Sequence, residues 1–163
     1  MATRLSTVEI FKENMKFVAG HYTIFSATER ERLHGHTFNV YAAITSEVND
    51  NGLTCDYHVY KEKVRQLCRD LNEYFLIAGQ SPYQELKPQG EHLYVHYGEE
   101  IIPFLQKDVK VLPIRNTTVE ELSHWFLEQL IADMQLIRDQ KIHALEVKVY
   151  SGPGQCASAS WRG

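Results

Sequence analysis

Apolar and polar positions alternate through the first third of the chain. From Ser6 to Thr23 the apolar residues Val8, Ile10, Met15, Phe17 and Ala19 are mostly two apart, with a change of phase near Glu13-Asn14. The pattern predicts a strand with a bulge where the phase shifts. From His36 to Ser46 the alternation of Phe38, Val40, Ala42 and Ile44 is cleaner, the period of a half-buried strand. Between them, Phe25–Leu33 is polar and charged, long enough for an ordered functional loop rather than a tight turn. Asn49-Asp50-Asn51-Gly52 carries turn chemistry and should end the second strand.

The period then changes. Tyr60, Val64, Leu67, Cys68 and Leu71 recur at three and four residues, which predicts a helix from Tyr57 to Tyr74. A second helix is predicted from Val119 to Ile137, where Leu122, Trp125, Phe126, Gln129, Leu130 and Met134 share a face. Thr118-Val119-Glu120-Glu121 in front of it has the form of a capping box. Strands should follow at Ile142–Tyr150 and Gln155–Trp161, divided by Ser151-Gly152-Pro153-Gly154. Residues 79–113 read as an insertion, with one short hairpin around Leu93-Tyr94-Val95. The order strand, strand, helix, helix, strand, strand predicts one α+β domain over residues 1–163. Its core would be a four-stranded antiparallel sheet with both helices on one face.

Composition narrows the function classes. With 163 residues, 44% hydrophobic and 23% charged, the chain can bury its own core. No apolar run approaches the ~20 residues of a membrane span, and no secretory signal is visible after Met1, so a cytoplasmic protein is expected. The net charge of −4, with both signs interspersed, leaves no basic stripe for nucleic acid. Cys55, Cys68 and Cys156 are too few and too widely spaced for a disulfide framework or a CxxC metal site. Cys68, on the apolar helical face, is expected to be a small buried hydrophobe.

Histidine placement changes the picture. His21 is followed by His34-Gly35-His36, so three of the eight histidines fall within sixteen positions. Side chains at i and i+2 of a strand project to one face, so His34 and His36 can reach one ion. His21 lies near the end of the preceding strand, where a neighbour can supply the third nitrogen. Gly35 between the pair allows close approach of backbone or ligand. A lone His-x-His is most often polar surface; His21 weighs against that here. Three neutral nitrogen ligands leave one tetrahedral position open, the arrangement of a catalytic zinc site. His58, His92, His96, His124 and His143 are scattered singly and read as structural or exposed.

At these residues the chain resembles a family. Phe17-Val18-Ala19-Gly20-His21 followed by Leu33-His34-Gly35-His36 resembles the 6-pyruvoyl- and 6-carboxytetrahydropterin synthases. Gly52-Leu53-Thr54-Cys55-Asp56-Tyr57 is similar to the family's Gly-x-Val-x-Asp-Phe, and Asn116-Thr117-Thr118-Val119-Glu120 to its Asn-Pro-Thr-x-Glu. The resemblance covers nearly the whole chain apart from the insertion. It implies the tunnelling fold, assembled as a trimer or dimer of trimers, with zinc on His21, His34 and His36. It also implies a heterocyclic small-molecule substrate, a dihydropterin triphosphate or a related purine-derived compound, in a pocket lined here by Thr118 and Glu120. The reaction implied is a lyase step on the substrate side chain.

The sequence departs from that pattern at three points. The family commonly uses a cysteine base shortly before His-Gly-His, and this chain has Arg30-Glu31-Arg32-Leu33. One branch carries Glu-x-x-His-Gly-His, which Glu31–His36 matches, and is linked to side-chain cleavage yielding 6-hydroxymethyl-dihydropterin; Glu31 is therefore the candidate base. A nearby metal or partial burial can tune a carboxylate for that task. Where the supporting Asp-His pair is expected stands Leu71-Asn72-Glu73, which makes Glu73 a second candidate carboxylate. Tyr150-Ser151-Gly152 stands where a Glu-Thr pair would anchor the pterin. Three explanations compete: Glu120 takes over the anchoring, the substrate is not a pterin, or activity is lost. In the last case the chain would be a zinc-containing oligomeric binding module.

Overall fold

The computed structural model describes residues 3–163. Its longest strand, β3 (His34–Glu47), organises the main sheet. Along one edge of β3 lie two strands in succession, β1 (Leu5–Ile10) against its second half and β2 (Lys16–His21) against its first half, both antiparallel. The predicted single strand over 6–23 is therefore two strands, because Met15 is reached by a turn at Lys12–Met15. The other edge of β3, from Asn39 to Ser46, pairs antiparallel with β9 (Ile142–Gly152), which in turn pairs with β10 (Gln155–Arg162).

Helix α1 (Tyr57–Leu71) is capped by Asp56, whose carboxylate accepts the His58 N–H. It ends three residues short of the predicted boundary. Glu73 turns the chain in a left-handed conformation (φ 65°), and β4 (Tyr74–Ala78) returns parallel to β2. Strand β8 (Val109–Leu112) extends the sheet beyond β4, also in parallel. The order is β10-β9-β3-β2-β4-β8, with β1 beside β3. A seven-stranded mixed sheet thus replaces the predicted four-stranded antiparallel one. Neither parallel pair is joined by a hairpin: β3 and α1 lie between β2 and β4 in the chain, and residues 79–108 lie between β4 and β8.

The predicted second helix divides into α2 (Val119–Ile131) and the short α3 (Met134–Asp139), each with its own N-cap, Thr118 and Asp133. Phe17, Phe38, Val40, Ile44, Val147 and Val149 meet Val64, Leu122, Phe126 and Leu130 in the main core, so α1 and α2 share one face of the sheet. Cys68 lies in that core as expected; all three cysteines are free, and Cys156 alone is exposed.

Residues 79–113 hold more than a hairpin. Strands β5 (Gln84–Gln89), β6 (His92–Tyr97) and β7 (Glu100–Leu105) form a separate antiparallel meander. It covers a second apolar cluster of Tyr22, Ile24, Ile77, Leu93, Val95 and Tyr97. Strand β4 is the wall between the two cores. Leu76 and Ala78 face the main core and Ile77, with Phe75 beside it, faces the second, which is why Phe75–Ala78 is an unbroken apolar run. Among the described residues no helix is long and apolar enough to cross a membrane.

Candidate functional site

The β2–β3 ladder places the histidines. His21 is registered against His34, Gly20 against Gly35 and Ala19 against His36. The side chains of His21, His34 and His36 project to the face that carries Phe38, and the rings of His21 and His36 meet the edge of Phe38 at 5.4 and 5.7 Å. Ring centroids of the three imidazoles lie 4.5 to 5.1 Å apart. A Cβ on Gly35 would stand 3.0 Å from the Ala19 carbonyl, so the close approach of β2 at this point favours glycine.

Backbone carbonyls fix two of the tautomers. His21 Nδ1 lies 2.7 Å from the Thr117 carbonyl and His34 Nδ1 lies 2.7 Å from the Arg32 carbonyl. A carbonyl can only accept, so each Nδ1 carries its proton and each Nε2 presents a lone pair. His34 Nε2 faces His36 Nε2 at 3.1 Å, and His21 Nε2 is fully buried with no hydrogen-bond partner among the described residues. An orphaned buried nitrogen costs free energy unless something binds it.

A zinc ion with Zn–N bonds near 2.05 Å spaces tetrahedral nitrogens by roughly 3.3 Å. One potential ligand atom from each histidine lies within 4.8 Å of the others, and the closest pair already matches that spacing. The donor set therefore fits zinc, with carbonyl-oriented imidazoles of the kind that support metal ligation. Burial, more than the repulsion of the neighbouring imidazoles, holds His21 below the usual histidine range despite the Thr117 carbonyl, and so favours its neutral, ligating form.

Glu31 stands beside this cluster. Its Oε2 is 3.8 Å from His34 Nε2 and accepts the Thr23 N–H at 2.9 Å, while the Glu31 N–H donates to the Thr23 carbonyl at 2.8 Å. Burial pushes this carboxyl up. The Thr23 N–H and the attraction of His34 and His21 outweigh burial, so the net shift is downward and Glu31 is ionised. The Thr23 hydroxyl adds to the hold of its N–H on this carboxylate.

The other sequence candidates lie further out. Thr118 caps α2 by accepting the Glu121 N–H, and Glu120 is exposed on the first turn. Among the described residues no hydrogen bond or ion pair joins Glu73 to Glu31 or to the histidines; its N–H donates to Val18. Two neighbours went unread in the sequence. Thr117 orients His21 through its carbonyl and donates its hydroxyl to Tyr22 O at 2.7 Å. Asn116 closes both polar groups of Ile24, accepting its N–H at 3.1 Å and donating to its carbonyl at 2.7 Å. In the sequence Asn116 and Thr117 stood only as part of the family-like run Asn116–Glu120, without roles of their own, because a carbonyl's partner leaves no mark on residue identity.

Comparison with known proteins agrees with this geometry. The family model described as 6-pyruvoyl tetrahydropterin synthase matches residues 9–161. A Methanocaldococcus jannaschii protein provisionally named 6-carboxy-5,6,7,8-tetrahydropterin synthase is 24% identical over 144 residues, 88% of each chain. Among solved structures, the Plasmodium falciparum 6-pyruvoyl tetrahydropterin synthase is similar with a TM-score of 0.91 and 27% identity, over 97% of this chain and 98% of that one. The Plasmodium vivax enzyme aligns with a TM-score of 0.92 at 24% identity, covering 98% and 99%. It has also been solved as variants in which a catalytic residue, a glutamate, is replaced by alanine or by cysteine.

Proposed function

The chain belongs to the 6-pyruvoyl tetrahydropterin synthase family, and from that premise we propose that it is a zinc-dependent lyase acting on the side chain of a dihydropterin triphosphate, with Glu31 as general base. The observation that carries this reading is one ionised carboxylate placed 3.8 Å from a nitrogen of a converging three-histidine cluster. His21, His34 and His36 would hold the zinc. Zinc bound there supplies Lewis-acid polarisation of the substrate's side-chain oxygens, which acidifies the neighbouring O–H and C–H groups.

The rest of the work falls to the protein. Thr23 holds the Glu31 carboxylate in place, and that carboxylate takes the proton from a side-chain hydroxyl. As that hydroxyl oxygen becomes a carbonyl, the adjacent carbon–carbon bond breaks. Its electron pair stays on the pterin-bearing carbon, which is then reprotonated. A glutamate base is supported by the Plasmodium vivax synthase, whose catalytic residue is a glutamate. Thr118 and Glu120, one and three residues beyond the His21-orienting Thr117, are the residues proposed to line the heterocycle pocket. Glu73, which has no hydrogen bond or ion pair to Glu31 or the histidines among the described residues, is given no part in the step.

We further infer assembly from trimers. Among the described residues the outer edges of β10 and β8 have no strand partner, and edge-to-edge pairing between copies would satisfy them. The chemistry is tested with dihydroneopterin triphosphate and zinc-loaded protein. The wild type should release the side chain, and Glu31→Gln should slow it about 10²–10⁴-fold with zinc retained. Equal rates would remove Glu31 from the mechanism. No binding or turnover of any dihydropterin would leave the chain as a zinc-containing binding module.

A further inference from the structure

A guanidinium offers five N–H donors in one plane and two cationic faces. Arg30, immediately before Glu31, uses both kinds. Nε and Nη2 donate to Oε2 of Glu100 at 2.9 and 2.5 Å, and Nη1 donates to the Glu31 carbonyl at 2.8 Å. Its Cζ lies 5.4 Å from the ring centre of Tyr22 and 5.7 Å from that of Tyr97. The side chain is 16% exposed, so it is a buried fixture and not a free surface cation.

Glu100 and Tyr97 flank the turn between β6 and β7, seventy and sixty-seven positions along the chain from Arg30. Gly98 makes that turn with φ +55°. The Tyr97 hydroxyl donates to the Ser26 carbonyl at 2.8 Å, so the tip of the meander grips the loop a second time. Within the loop, Ile24 bridges Arg30, and the Phe25 and Ser26 N–H groups both donate to the Glu29 carbonyl. The segment from Tyr22 to Glu31 is thus closed on itself and fastened at both limbs to the same hairpin.

We propose that Arg30 is a positioning residue, clamped by Glu100, Tyr97 and Tyr22, through which the β5–β6–β7 meander fixes the Glu31 carboxylate for proton transfer. The inference rests on the reading of Glu31 as the base. A misplacement of about 1 Å in a reacting group can cost roughly 10² in rate, and Arg30 holds the backbone of the residue that reacts. Arg32, by contrast, is exposed and has no side-chain partner among the described residues, so the two arginines that flank Glu31 are not equivalent.

The test uses zinc-loaded full-length protein, dihydroneopterin triphosphate, and amide hydrogen exchange at Thr23, whose N–H is held by the Glu31 carboxylate. Arg30→Met should lower kcat about 10²-fold with KM and zinc content unchanged, and speed exchange at Thr23. Arg30→Lys, which keeps the cation between the two rings, should recover part of the rate. Glu100→Gln, isosteric and at a site 56% exposed, keeps the fold intact; it should cost roughly two- to fivefold in kcat. In a Glu31→Gln background, Arg30→Met should have no further effect, since both act through one group. A raised KM with kcat intact, or a further loss on top of Glu31→Gln, would make Arg30 a substrate contact and overturn the proposal. Unchanged Thr23 exchange in Arg30→Met would overturn the clamp alone. A full-rate Glu31→Gln would instead overturn the base assignment, and the two failures are thereby told apart.

Discussion

Gly20→Ala should both destabilise the chain and weaken its metal site. Gly20 lies on β2 beside Phe75 of β4, and a Cβ there would fall 2.3 Å from Phe75 Cδ2 and 2.8 Å from Cε2. Ordinary contact begins near 3.4 Å, so the ring or the strand must yield by about 1 Å. The ring cannot move freely, because Phe104 lies 4.8 Å from it and Tyr22 6.1 Å. Overpacking of this kind costs about 1–3 kcal/mol, and replacing glycine within a strand returns about 0.5–1 kcal/mol. A net loss of about 1–2 kcal/mol lowers Tm by roughly 2–8 °C in a chain of this size. His21 is the next residue, so the shift should also raise the zinc Kd roughly tenfold. Thermal unfolding by circular dichroism and a chelator-competition titration read the two effects. Gly152→Ala is the control: nothing lies within 4 Å of its Cβ, and it should be neutral or slightly stabilising. If Gly20→Ala melts with the wild type and the control, the packing argument is wrong.

Removing zinc with a chelator should lower Tm by roughly 5–10 °C when free zinc had stood about 100-fold above Kd, the equivalent of about 2.7 kcal/mol. The gap between metal-loaded and metal-free protein should close as pH falls below about 6, because protons compete for the Nε2 lone pairs; a gap unchanged down to pH 5 would contradict histidine ligation. Light scattering at micromolar concentration should give a mass of three or six chains, and a strict monomer would rule out edge-to-edge assembly.

Much of the site was legible because it is local. His34 and His36 announce a shared face through strand alternation alone, and β3 keeps that alternation apart from Ala43, which is buried on the opposite face. Glu31 was singled out by the match of Glu31–His36 to a family branch's Glu-x-x-His-Gly-His, and the loop brings its carboxylate to 3.8 Å from His34. The missed parts depend on contacts that residue type does not record. Phe75–Ala78 is apolar at every position, so periodicity could not separate a doubly buried strand from the tail of α1. The left-handed turn at Glu73, which ends α1 and starts β4, is made by a non-glycine residue with no turn signature. Thr117 acts on His21 through a backbone carbonyl, a group every residue has. The meander's grip on Arg30 spans seventy positions, which no local pattern encodes.

The central claim is that His21, His34 and His36 together hold one zinc beside Glu31, and elemental analysis of purified wild type and His34→Ala tests it most directly. The wild type should carry one zinc per chain. His34→Ala should carry almost none while its far-ultraviolet circular dichroism matches the wild type, since the ring is partly exposed at the end of β3 and the strand survives its loss. Full zinc content in His34→Ala would contradict the account.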